Sequence, residues 1–338
     1  MRAGTHAPSI RRNPKGGLTP ADEAGEVAIM SDREPLDRFR GCLLGLAVGD
    51  ALGTALEFSP PGTFEPIHDI VGGGPFDLRP GEWTDDTSMA LCLAESLIER
   101  RGFDPVDQLE RYLRWRDEGY CSVTGRCFDI GNTVAASLRR YETTREPYPG
   151  STDPASAGNG SIMRLAPVVM FYASVPRKAI DFAAASSRTT HRAREAVDAC
   201  RYMASLMVGL LNGRAREDVL SADYEAVPGL WDAEPLTRTV AKIRRGSFKE
   251  RMPPQVRGSG HVIASLEAAL WALWRSSSFE EGALAAVNLG DDADTTGAVY
   301  GQIAGAAYGL SGIPAGWLDK LAWRERIHAT ADALCHAP

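Results

Sequence analysis

The residues with the most chemistry per position lie in Val287-Asn288-Leu289-Gly290-Asp291-Asp292-Ala293-Asp294-Thr295-Thr296-Gly297. Three acidic residues and two threonines fall within six positions, directly before an Ala/Gly-rich apolar run to Leu310. Carboxylates this dense repel one another and are costly to bury, so they are either solvated or neutralised by cations. Asp and Thr oxygens are hard ligands, suited to Mg²⁺, Mn²⁺ or Ca²⁺ rather than Zn²⁺. A plain acidic N-cap accounts for the same residue types, since Asp and Thr satisfy orphan N–H groups and complement the helix dipole. A second cluster favours the metal reading. Trp83-Thr84-Asp85-Asp86-Thr87-Ser88-Met89 also sets a Thr and paired carboxylates before an apolar run, Met89 to Leu97. Two hard-oxygen clusters, each opening a helix, are what a two-metal site between helix ends requires.

The elements that must position these clusters carry a second pattern. From Phe39 to Leu56 the chain reads as a helix with Gly41, Gly45, Gly49 and Gly53 at every fourth residue. The C-terminal run repeats the device at Gly297, Gly301, Gly305 and Gly309. Each helical Gly costs up to about 1 kcal/mol against Ala, so eight of them need a compensating reason. Residues at i and i+4 share a face, so each helix carries a smooth ridge that permits very close approach. Ridges packed into the core, or against each other, would carry Asp50 and Glu57 toward the Asp292 cluster.

At 338 residues, with 44% hydrophobic and 24% charged side chains, the chain has the composition of a globular protein with a large core. A net charge of −7 argues against non-specific binding to nucleic acid or anionic membranes. Six cysteines (Cys42, Cys92, Cys121, Cys127, Cys200, Cys335) form no Cys-x-x-Cys pair, which suggests reduced thiols and a cytoplasmic setting. No apolar signal core precedes the folded part, and the run Gly41–Leu56, interrupted by Asp50, reads as too short to span a bilayer.

Residues 1–33, rich in Pro, Gly, Arg and acidic side chains, read as a disordered extension. A partner-binding tail is the functional alternative for it. Residues 34–338 read as one domain. Helices are expected from about Asp86 to Arg100, Pro105 to Trp115, up to Arg140, from Ile162, from Lys178, and from Thr190 to Leu211. Further helices are expected over His261–Trp274, Phe279–Val287 and Trp317–Leu334. Residues 58–82 and 142–160 read as loops, and 222–260 as a partly basic, solvated surface loop. No strand alternation appears, so the fold class is all-α, a compact single-domain orthogonal helix bundle with a binuclear metal site at converging helix ends. Phe128-Asp129-Ile130-Gly131-Asn132-Thr133 opens a helix, and Asp129 reads there most simply as an N-cap. Gly158-Asn159-Gly160-Ser161 also opens a helix and either presents N–H groups to an anion or makes a plain turn.

Assembled, these segments resemble the ADP-ribosylglycohydrolase family. The resemblance covers about residues 36–310 and rests on GLAVGDALGTALE (Gly45–Glu57), WTDDTSM (Trp83–Met89), FDIGNT (Phe128–Thr133), GNGSIMR (Gly158–Arg164), Thr190-His191 and GDDADTTG (Gly290–Gly297). It implies a compact all-α fold with two divalent cations, Mg²⁺ or Mn²⁺. Carried over, the metal ligands are Thr84, Asp85, Asp86, Asp292, Asp294 and Thr295. Asp291 stands where many relatives have Gly and is left out of the ligand set. The implied substrate-contacting residues are Asp50, Gly131, Asn132, Ser156, Gly158, Asn159, Gly160, Ser161 and His191.

The implied reaction is metal-dependent removal of ADP-ribose from a modified protein side chain, most simply arginine, with ADP-ribose as product. Cleavage at ribose C1″ passes through an oxocarbenium-like state, and a carboxylate acts as base. Arginine-type members favour Asp129 for that role, serine-type members the glutamate at Glu57, and this chain has both. Two further readings stay open: hydrolysis of serine-linked, poly- or O-acetyl-ADP-ribose, and a catalytically weak ADP-ribose binder or toxin-neutralising partner.

Overall fold

The computed structural model describes Met1 and residues 20–336, with side chains from Pro35 onward. Residues 35–338 form one unit, and Met1–Glu34 forms another. Most of the extension expected at residues 1–33 lies outside the described side chains.

Every regular element among the described residues is helical, and pairing in the extended conformation is confined to isolated bridges. The elements in order are α1 (Pro20–Gly53), α2 (Asp85–Arg100), α3 (Pro105–Glu118), α4 (Asn132–Thr144), α5 (Ala166–Phe171), α6 (Pro176–Arg188) and α7 (Arg194–Leu211). Four short helices follow: α8 (Arg216–Val219), α9 (Leu230–Ala233), α10 (Arg238–Arg244) and α11 (Ser247–Glu250). The last five are α12 (Val262–Arg275), α13 (Phe279–Val287), α14 (Ala293–Tyr308), α15 (Ala315–Lys320) and α16 (Arg324–Cys335).

The two glycine ridges meet each other. A Cβ added to Gly41, Gly45 or Gly49 would fall within 3.0 Å of backbone at Gly305, Gly301 or Gly297 respectively, and the reciprocal additions clash in the same way. The pairing is antiparallel, and its last step sets Gly53 against Ala293 and Asp294, at the start of α14. Gly309 differs from its three companions. It lies past the end of α14 at φ +72°, where it stops the helix while its backbone still meets a Cβ added to Gly41.

By length and composition Pro35–Leu56 would suffice to cross a bilayer, which corrects the shorter reading from Gly41, yet most of it is buried inside the protein. Around the paired α1 and α14, helices α12 and α13 pack on α14, α6 on α7, and α2 on α3, α5 and α16. Arg40 grips Asp332 of α16 at 2.7 and 2.9 Å, tying α1 to that last helix.

Three further expectations differ from the fold. Gly158–Ser161 does not open a helix, because turns follow it through Arg164 and α5 begins only at Ala166. Residues 222–260 carry α9, α10 and α11 rather than one solvated loop, with Trp231, Val240, Ile243 and Phe248 buried. Their apolar residues are too few per helix to show a period, so each short helix is stabilised by burial rather than by its own pattern. The helix expected over Trp317–Leu334 is divided into α15 and α16 at Trp323, which takes φ +57° and packs edge-on to the buried Trp83.

Candidate active site

Both acidic clusters open helices, α2 and α14, as an N-cap reading requires. Neither caps its own helix, however: the side chains of Thr84 and Asp292, the N-cap residues, accept no hydrogen bond from the first turn. The caps come from elsewhere. Asp50 of α1 accepts from Thr84 N at 2.9 Å and Thr87 N at 3.0 Å, and from both threonine hydroxyls. Glu57, just beyond α1, accepts from Ala293 N at 2.9 Å. The end of α1 therefore satisfies both helix starts, and the local carboxylates are left facing one another.

That confrontation is close. Asp50, Asp86 and Asp294 each offer an oxygen within 4.8 Å of the others, and so do Glu57, Asp129 and Asp294. Thr84 Oγ1 lies 2.9, 3.3 and 3.1 Å from oxygens of Asp50, Asp86 and Asp294, although it has a single hydrogen to donate. Thr295 Oγ1 approaches Asp86 at 3.4 Å. Asp86 Oδ1 is buried with no hydrogen-bond partner among the described residues. Among the described residues no lysine or arginine lines the cavity above the cluster.

The electrostatics follow. Burial, then the charge of Asp294, pushes Asp50 and Asp292 up to about 7. Burial first and neighbouring aspartates second hold Asp85, Asp86 and Glu57 well above the usual carboxylate range. Asp129, half-buried, is raised to about 11 by burial and by Asp85. A cluster in which every shift points toward neutralisation, with an orphaned buried oxygen and only O donors, fits hard divalent cations.

A cavity of about 440 Å³ opens over this floor. Its walls are Glu57, Phe58, Asp85, Asp129–Val134, Gly158–Gly160, Met163, His191, Gly260, Asp292, Asp294 and Thr295. Asp129 does not cap α4, whose N-cap is Gly131. It sits at φ +56° with its side chain in the cavity, a left-handed conformation that Asp tolerates better than most residues. The Gly158–Ser161 loop is held from several sides. Asn159 Nδ2 donates to Asp292 at 3.0 Å and Asn159 N to Gly260 O at 3.0 Å. Buried Gln302 of α14 donates to Ile162 O and Met163 O and accepts from Ala166 N.

Of the residues singled out in the sequence, Glu57, Asp85, Asp129, Gly131, Asn132, Gly158, Asn159, Gly160, His191, Asp292, Asp294 and Thr295 line the cavity. Thr84 and Asp86 lie fully buried beneath it. Asp50, expected among the substrate contacts, is buried with both oxygens turned to α2. Ser161 is buried behind the loop, 3.0 Å from Ser187 Oγ. Ser156 lies outside that cavity, in an adjoining hollow that shares Asn132 and Thr133 with it, and donates to Asp153 O at 2.6 Å. Phe58, Ile130, Val134, Met163 and Gly260 line the cavity without having been anticipated. Phe58 is 63% exposed, which no local pattern in the sequence announces. Gly260 had no such signal either, since contacts distant in sequence bring it there: Gly260 O accepts from Asn159 N at 3.0 Å and Gly258 O from Asp292 N at 3.1 Å.

Comparison with known proteins agrees with this geometry. The family model described as ADP-ribosylglycohydrolase matches residues 31–338. An ADP-ribosylarginine hydrolase, Tri1, of Serratia proteamaculans is 44% identical over 306 residues, 90% of this chain and 81% of that protein. The ADP-ribosyl-[dinitrogen reductase] glycohydrolase of Rhodospirillum rubrum is 33% identical over 307 residues, 88% of this chain and 95% of its own length. A solved structure described as an ADP-ribosylglycohydrolase-related protein complex superposes with a TM-score of 0.79 at 46% identity, covering 90% of this chain and 99% of its own. With an all-helical fold, converging carboxylates and these relatives, the chain belongs to the ADP-ribosylglycohydrolase family and is a hydrolase of the glycosidase type.

Proposed function

We propose that this protein hydrolyses the N-glycosidic bond between ADP-ribose and an arginine side chain of a modified protein. The observation that carries the reading is the cavity floor, where Glu57, Asp129 and Asp294 converge within 4.8 Å below a glycine-rich loop. The relatives named for arginine-linked and dinitrogen reductase substrates support the linkage.

Thr84, Asp85, Asp86, Asp292, Asp294 and Thr295 would hold two divalent cations, Mg²⁺ or Mn²⁺. Bound there, the cations would supply Lewis acidity toward ribose hydroxyls and an oriented water. The protein groups carry the rest. Gly158 and Gly160, flanking an Asn159 pinned to Gly260 and Asp292, add no side-chain bulk to the wall against which a ribose or diphosphate can lie. Among the described residues no N–H donates to Asp129, whereas Glu57 accepts from Ala293 N. Asp129 is thus the freer carboxylate to take a proton from the attacking water and to face the cation developing at C1″. Arginine is a strong base and departs protonated, so stabilising the sugar and delivering water are the demanding tasks.

The test is incubation with a protein ADP-ribosylated on arginine and, separately, one modified on serine, following free ADP-ribose. Release from arginine that stops in excess chelator is expected. Release from serine alone would overturn the linkage.

A further inference from the structure

His191 is buried at the cavity wall, and the groups behind it constrain which ring nitrogen carries the proton. Thr190 Oγ1 lies 2.8 Å from His191 Nδ1 and receives a 2.6 Å hydrogen bond from Arg164 Nη2. A guanidinium only donates, so Thr190 Oγ1 must accept from it. The oxygen keeps a second lone pair, but among the described residues its one other hydrogen-bond partner is His191 Nδ1, so the buried hydroxyl hydrogen is satisfied only when Nδ1 accepts it. Nδ1 therefore accepts, and the ring proton sits on Nε2.

Arg164 is itself held in one place. It is 1% exposed, its guanidinium lies 4.7 Å from the centre of the Tyr112 ring, and Nη1 approaches Met89 Sδ at 3.6 Å. No carboxylate pairs with it among the described residues. Its positive charge, added to burial, disfavours an imidazolium next door, in keeping with a His191 pKa lowered to about 3, chiefly by burial. On the cavity side Nε2 has no acceptor among the described residues. It borders the glycine loop, where a Cβ on Gly158 would lie 3.4 Å from it and one on Gly160 3.3 Å.

We infer that Arg164 and Thr190 act as positioning residues that lock His191 as a neutral Nε2–H donor aimed into the cavity at a ligand oxygen, a hydroxyl or a phosphate. This rests on the ADP-ribose reading only for the ligand; the tautomer is a property of the free protein. A neutral donor adds no positive charge beside the cation-binding floor, and it can grip an oxygen without competing as a base.

The experiment is ¹⁵N NMR of the histidine ring in the whole protein without ligand at neutral pH, together with calorimetric titration of ADP-ribose. Wild type should show the Nε2–H form. Thr190→Val removes the hydroxyl and should give mixed or Nδ1–H tautomers, with ADP-ribose binding about tenfold weaker, the range of one hydrogen bond. Thr190→Ser should restore both. Wild-type His191 found as Nδ1–H or as imidazolium overturns the inference even if the valine variant fails to fold. So does a folded Thr190→Val protein with unchanged tautomer. Wild type that shows the Nε2–H form yet binds no ADP-ribose supports the lock and refutes the ligand assignment.

Discussion

The helices α1 and α14 meet along a glycine seam and end at a carboxylate cluster, and these two regions obey opposite rules. Along the seam backbone touches backbone, so one added carbon has nowhere to go. At its end Asp50 and Glu57 cap the starts of α2 and α14, leaving Asp86 and Asp294 face to face. The seam is apolar and intolerant of volume, while the cluster is polar and intolerant of charge without cations. One explains the other: carboxylates that repel one another stay together only where the backbones carrying them cannot separate.

The largest expected effect lies in the seam. Gly49→Leu or Gly301→Leu drives a branched side chain into opposing backbone rather than into a yielding side chain. Overpacking typically costs about 1–3 kcal/mol, and a rigid backbone partner places these at or above that range. Circular dichroism should show loss of the folded state or a large fall in melting temperature. Unchanged melting would mean that the close approach does not hold in solution.

The cluster should separate activity from stability. Asp86→Ala or Asp292→Ala removes a proposed cation ligand and should abolish turnover, while the seam keeps the helical signal intact. Full activity of either variant in excess chelator would sink the metal reading. Asp129→Asn preserves size and should lower kcat by about 10²-fold or more, the lower range for an acid–base group, with little change in cation affinity. Near-normal turnover there, with an inactive Glu57→Gln, would transfer the base role to Glu57.

A pH effect of fixed sign follows from the raised carboxylates. Asp292 rises from 3.8 to about 7 on folding, so the native state binds its proton more tightly than the unfolded chain does. In chelator, its contribution to stability is full below about pH 4 and is lost as pH rises through about 7. Melting temperature of metal-stripped wild type should therefore fall more steeply from pH 5 to pH 8 than that of Asp292→Asn. Parallel profiles would show that the cluster is already neutralised.

The smallest effect is a control. Gly316 of α15 has nothing within 4 Å of an added Cβ. Gly316→Ala should be neutral or stabilising by up to about 1 kcal/mol, through lower chain entropy. A loss of stability comparable to the seam variants would refute the claim that contact, rather than glycine itself, sets their cost.

The sequence by itself determined the helical class, the two acidic helix starts and the glycine spacing, because each is a local pattern with its own physical reason. Period-four glycine demands a close partner, and paired aspartates demand protons, water or cations. It also carried the cavity motifs around Asp129, Asn159 and His191, each marked by an unusual local composition. Tertiary structure alone decided which partner the ridge meets, since any smooth face could accept it. It decided that Asp50 turns away from the cavity to cap α2, and that Asp129 is released from capping because Gly131 takes that place. It also brought Gly260 to the site and set the His191 ring against Thr190 and Arg164. Apart from the adjacent Thr190–His191 pair and the choice of Gly131 as cap, these are contacts between residues tens to hundreds of positions apart, and no local propensity encodes them; only the packing of the whole core selects them.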